Sequence, residues 1–244
     1  MVIKTKRYKP LYKKFIRLKV NPTNSNKIFN FKKKKWKTFL GSLKRANKFY
    51  TRFKPYTHYN HSASKFASQG NSYKKKFRNN LIAKKVFNYF YGGLMKKYLK
   101  TEMARIYKSK EFRDPMLTCI EFFESRLDSV LYRSGFCYSI KNARQLIAHK
   151  HIRVNDRIEK NKSYILKQGD FIRIDSKSVA LIRDNLKKQL NNKSDRIWPI
   201  PPNYLTINYN TLEIIFGDIK NYNFSISFPF RLDVHSIITD YYRH

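Results

Sequence analysis

Residues 124–175 constrain the fold more tightly than any other stretch, because the apolar period there changes from helical to alternating within a short run. Leu127, Val130 and Leu131 fall three and four apart, the spacing of one helix face, and Arg126, Asp128 and Arg133 lie off that stripe. Gly135 stands where a helix stops, since glycine takes the left-handed C′ conformation without a steric cost. Ser139 is a good N-cap for a second helix, whose apolar stripe is Ile140, Ala143, Leu146 and Ile147. Alternation follows: Ile152 and Val154 point one way and His151 and Arg153 the other, with Asn155-Asp156 as a hairpin turn. Gly169-Asp170 makes a second turn before Phe171-Ile172-Arg173-Ile174. The pattern predicts two short helices and a small antiparallel sheet, with polar faces that are mostly cationic or hydrogen-bonding.

The run Arg126-Leu127-Asp128, Tyr132-Arg133, Gly135-Phe136, Ala143-Arg144-Gln145-Leu146-Ile147, His149 and Val154-Asn155, closing on Gly169-Asp170, resembles the RNA-binding domain of the S-four family of small-subunit ribosomal proteins. Similar domains occur in pseudouridine synthases, a tyrosyl-tRNA synthetase and a heat-shock protein, so the flanks must separate these. Lys84-Lys85-Val86-Phe87 with Phe90-Tyr91-Gly92 resembles the stretch that leads into the domain in the ribosomal family, without its usual Gln. Tyr204-Leu205, Asn208-Tyr209 and Leu212 resemble that family's C-terminal return segment, and 228–238 its final turn and short helix. Two departures stand out: Asn142 replaces the acid that would complete a capping box, and Asp156 a frequent glycine.

The charge balance agrees. With 53 Lys+Arg against 16 Asp+Glu the formal charge is +37, and a compact body so charged repels itself unless a polyanion is bound. No Asp or Glu occurs before residue 101, yet more than half of the cations lie there. Lys32, Lys33, Lys34 and Lys35 with Trp36, then Lys74, Lys75, Lys76 and Arg78 beside Tyr73 and Phe77, interleave cations with rings. Such tracts release counterions from phosphates and stack on unpaired bases. This region reads as an extended arm that is disordered alone and orders on RNA. A mitochondrial presequence over the first thirty residues is the rival. No apolar run is long enough to cross a bilayer, and no membrane partner is expected.

The expected organisation is α+β: a basic arm over 1–78, the first part of a helical body over 79–120, the S-four-type RNA-binding domain over 121–178, and a linker and C-terminal segment over 179–244 that returns to the body. Leu81–Gly92 and Leu94–Tyr107 read as helices, and Asp114-Pro115 as the end of the second. Expected RNA contacts in the domain are Arg126, Arg133, Ser139, Lys141, Asn142, Arg144, Gln145, His149, Lys150, His151 and Arg153, joined by Lys84 and Lys85 and by the arm residues above. With so few acids available, phosphates are the natural counter-charges for these arginines.

An enzymatic role is not expected. Arg126-Leu127-Asp128 and Arg231-Leu232-Asp233 match the motif of pseudouridine synthases, but the first belongs to the domain helix and the second lies eleven residues from the end. Asp128 reads instead as orienting a neighbouring arginine. His-Glu-x-x-His, phosphate-cradling Gly loops and Gly-x-Ser-x-Gly are absent from the sequence. Cys119 and Cys137 read as reduced, buried thiols, without zinc or other cofactor. The resemblance implies a structural rRNA-binding protein beside neighbouring small-subunit proteins and near the mRNA entry channel, and not a homo-oligomer. A free RNA chaperone, or an RNA-modifying, pseudouridine synthase-like protein with the same domain, is the alternative. A/T-rich codon residues (Lys, Asn, Ile, Phe, Tyr) point to a mitochondrial ribosome, with an A/T-rich bacterium as runner-up.

Overall fold

The computed structural model describes residues 11–18, 20–22, 34–50, 73–108, 114–191, 201–219 and 234–243. These divide at Phe90 into two compact units.

Among the described residues the first unit contains three helices: α1 (Leu11–Leu18), α2 (Lys34–Tyr50) and α3 (Tyr73–Phe90). Two of them lie where an extended arm is expected, and residues 11–18 and 34–50 correct that reading. The reason is visible in the spacing. Phe15 and Leu18 fall three apart on α1, and Trp36, Phe39 and Leu43 fall three and four apart on α2; all five are buried. Phe15 meets Tyr89 of α3 edge-on, ring centroids 6.4 Å apart. The lysines between the apolar positions hid the stripe. Residues 23–33 and 51–72 of the expected arm lie outside the described residues.

The second unit begins at Tyr91 and has a helical layer and a sheet. Its helices are α4 (Lys96–Lys108), α5 (Pro115–Glu124), α6 (Leu127–Arg133), α7 (Ile140–Ala148), α8 (Val179–Asn191) and α9 (Val234–Arg243). Asp114-Pro115 starts a helix rather than only ending one. Asp114 Oδ1 accepts from the Met116 N–H at 3.0 Å, and Pro115 takes the first helical position, where its missing N–H costs nothing. Leu99, Met103 and Ile106 of α4, Cys119, Ile120 and Phe123 of α5, and Val234, Ile237 and Ile238 of α9 are buried, and α9 packs on both α4 and α5.

The sheet has five antiparallel strands in the order β2-β1-β3-β5-β4: β1 (Ile152–Val154), β2 (Arg157–Ile158), β3 (Phe171–Ile174), β4 (Leu205–Asn208) and β5 (Glu213–Phe216). Ile152 pairs with Ile174, Val154 with Ile172, and Ile172 with Ile214, so one face is a continuous apolar row and is buried. Asn155 (φ 48°) and Asp156 (φ 63°) form the expected two-residue turn, and Asn155 further bonds Asp170 and the Phe171 N–H. The C-terminal return is split between two places. β4 and β5 extend the sheet formed by β1 to β3, while α9 reaches the helical layer.

Gly92 fixes how closely the helical layer approaches α7. Its φ is +74°, and a Cβ there would stand 2.9 Å from Ile140 Cγ2 and 3.2 Å from Arg144 Cζ. Gly92→Ala is expected to cost roughly 1–3 kcal/mol in urea unfolding, from strained backbone and the displaced Ile140 together.

Candidate nucleic-acid interface

Helix α6 is buried along its whole length, charged residues included. Its polar groups therefore need partners inside, and two carboxylates supply them. Asp128 accepts from Arg126 Nε and Nη2 at 3.0 and 2.9 Å and from Arg144 Nε at 2.7 Å. Arg126 also donates to Tyr98 Oη at 2.8 Å, and Arg144 donates to the carbonyls of Tyr91 and Gly92 at 2.6 and 2.8 Å. Glu124, at the end of α5, receives Arg133 Nε and Nη2 at 2.8 and 2.6 Å, together with the hydroxyls of Tyr91 and Tyr204 at 2.9 and 3.0 Å.

Burial, then the Glu124 charge, raise both phenols well above the ordinary tyrosine range and keep them as donors. Burial works against the Arg133 charge, but Glu124 outweighs it and holds the guanidinium more firmly protonated than usual. Burial alone pushes the Cys137 thiol up to about 12 and also raises Cys119.

These networks correct part of the sequence reading. Arg126 and Arg133 are 1% and 3% exposed and face carboxylates, so phosphates are not their counter-charges. Arg144 is a structural tie between α7 and the Tyr91-Gly92 turn. Asp128 orients arginines, as expected. Tyr91 and Tyr204 were not anticipated as partners of Glu124, and nothing local in the sequence brings residues 80 positions apart together.

The residues left at the surface gather on α7 and just beyond it. Ser139 caps the helix by accepting from the Asn142 N–H at 3.3 Å. Lys141, Gln145 and His149 recur every four residues on the exposed side, with half-exposed Asn142 beside them. The chain then turns through a Schellman motif: His151 N–H reaches Leu146 O, Lys150 N–H reaches Ile147 O, and Lys150 takes φ 64° where glycine is usual. The His149 and His151 rings lie nearly parallel around it, 6.0 Å apart at 16°. Arg153 is partly exposed and bonded to Asp175 at 2.9 Å. This group of cations, imidazoles and two amides is suited to phosphodiester oxygens and base edges.

In the first unit Lys34, Arg78 and Lys85 are exposed and Lys84 is half-exposed. Trp36 is 2% exposed and packs edge-on against Phe39, so its ring is core rather than a platform for bases. Lys32, Lys33 and the side chains of Lys35, Lys74, Lys75 and Lys76 lie outside the described residues.

The S4 domain profile matches residues 125–172, the span from the Arg126 network to β3. Small ribosomal subunit protein uS4m of Reclinomonas americana is 30% identical over 224 residues, covering 87% of this chain and 88% of that protein. The chain belongs to the uS4 family. Small ribosomal subunit protein uS4 of Aquifex aeolicus is 39% identical over 109 residues, 44% of this chain and 51% of its own length. The uS4m protein of Marchantia polymorpha is 33% identical over 150 residues, 62% and 71% of the two chains. Within this uS4 chain the profile runs from α6 into β3, and β4 and β5 pair onto the same sheet beyond it.

Two substitutions separate the buried network from the surface. Glu124→Gln leaves Arg133 charged and buried without its counter-ion, and should lower stability by about 3–5 kcal/mol in urea unfolding at neutral pH. Lys150→Gly relieves the left-handed lysine and should raise stability by up to about 1 kcal/mol. The same change should weaken RNA binding and reduce its log–log salt slope by about one.

Proposed function

We propose that this chain is a structural constituent of the small ribosomal subunit, binds small-subunit rRNA through the α7 face and acts without catalysis. Membership of the uS4 family carries this reading, and the cationic, hydrogen-bonding surface from Lys141 to His151 supports it. The surface follows RNA shape and backbone, so phosphate contacts supply most of the affinity and little of the specificity. Arg126 and Arg133 are not part of this interface. Neighbouring small-subunit proteins and mRNA near the entry channel complete its surroundings. Two of the relatives above are uS4m proteins, and with the A/T-rich residue usage this favours a mitochondrial ribosome.

Density-gradient fractionation of native extract tests the reading directly. The protein is expected to travel with small-subunit rRNA and to remain there through a high-salt wash. Recovery as a light, salt-labile species would instead support a free RNA chaperone.

A further inference from the structure

Helix α7 ends on a turn that carries two imidazoles, and their arrangement goes beyond what phosphate binding asks. His149 is exposed and His151 half-buried. Their ring planes are within 16° of parallel, with centroids 6.0 Å apart. Among the described residues neither ring has a hydrogen-bond partner, and the ring contact they make is with each other. A neighbouring carboxylate is already engaged. Asp175 donates its N–H to the His151 carbonyl at 2.9 Å but turns its Oδ1 to Arg153, also at 2.9 Å.

The backbone under the rings is fixed. The His149 N–H is held by Gln145 O at 2.9 Å, and His151 is held on both sides, its N–H by Leu146 O at 3.1 Å and its carbonyl by Asp175. Between them Lys150 stands at φ 64°, a left-handed conformation that is costly for a residue with a Cβ. Glycine would close the same turn without that cost, so the strain marks this turn as more than a connection.

A phosphate oxygen needs a donor at one point and no relation between two ring planes. A base needs a flat face. Two imidazoles this nearly parallel present one at the surface, because a base laid on either ring lies close to parallel with both. Imidazoles are among the side chains on which unpaired RNA bases stack. Lys150 places a cation beside the rings for the phosphate of the same nucleotide, and exposed Gln145, one turn before His149, an amide for the base edge.

We infer that the His149–His151 pair is a stacking platform for a single unpaired base of the bound RNA, with Lys150 on that nucleotide's phosphate. This rests on the rRNA-binding reading above and names what one corner of the α7 face takes up.

The test uses the full chain and small-subunit rRNA of the same organism, at about pH 8. His149→Ala with His151→Ala should weaken binding about tenfold or more, the loss of one stacked base. The slope of log affinity against log salt should stay as it was, since a stacked ring displaces no counterion. His149→Phe with His151→Phe supplies rings that cannot hydrogen-bond or carry charge, and should restore binding to within about threefold of the unaltered chain. Chemical probing of the bound rRNA should show one unpaired base that is protected by the unaltered chain and the Phe pair and open with the Ala pair. A Phe pair as weak as the Ala pair, an Ala pair that binds like the unaltered chain, or a salt slope lowered by one or more in the Ala pair overturns the stacking platform and leaves the rRNA reading standing. Absence of specific rRNA binding by the unaltered chain overturns the rRNA reading, and the platform with it.

Discussion

Two buried carboxylates, Glu124 and Asp128, hold the second unit together. Each sits at about 1% exposure or less in a chain of formal charge +37, and each is surrounded by donors from several elements. Glu124 joins the end of α5 to Arg133 of α6, to Tyr91 ahead of α4 and to Tyr204 ahead of β4. Asp128 joins α6 to α7 and, through Arg126, to α4. Taking such charges out of water is unfavourable, and their mutual attraction offsets this only with good geometry and every lone pair engaged. The resulting contacts are directional, which apolar packing is not. They fix the relative placement of elements whose outer surfaces are too cationic to draw together by themselves.

The same division sorts the arginines. Those on or beside α6 point inward and are satisfied, whereas the lysines and histidines of α7 and its C-terminal turn point outward. A planar, always-charged guanidinium suits the first task because it can bond two or three oxygens in one plane; a lysine on a flexible stem suits the second. The exposed side of the sheet follows a third pattern. Arg173 is matched with Asp156 and Glu213, and Arg153 with Asp175, so that face is closer to neutral than α7. Charge on this unit is therefore distributed by face, not uniformly.

Much of this was legible in the sequence, and the exceptions have physical causes. The two domain helices, the Ser139 cap, the Asn155-Asp156 turn and the alternating strands follow from local spacing, and the structure contains all of them. Helices α1 and α2 were hidden because lysines crowd the positions between their apolar residues. Arg126 and Arg133 were assigned to phosphates on the ground that acids are scarce. Scarcity along the chain says nothing about proximity in space, and two of the sixteen acids lie against them. The left-handed backbone at Lys150 had no glycine to announce it. Nor could the pairing of β3 with β5, across some forty positions of chain, be read from either segment alone.

That last pairing gives the fold an order in time. A ribosome releases the chain from its N-terminus, so α5, α6, α7 and the first three strands emerge before β4 and β5 exist. Until Tyr204 arrives, Glu124 has one fewer donor, and until residues 234–243 arrive the apolar sides of α4 and α5 lack the helix that covers them. The three-stranded domain can close by local contacts, while the helical layer must wait for the final stretch of synthesis. Nascent chains stalled before residue 201 would thus present the cationic α7 face already assembled on a body not yet sealed.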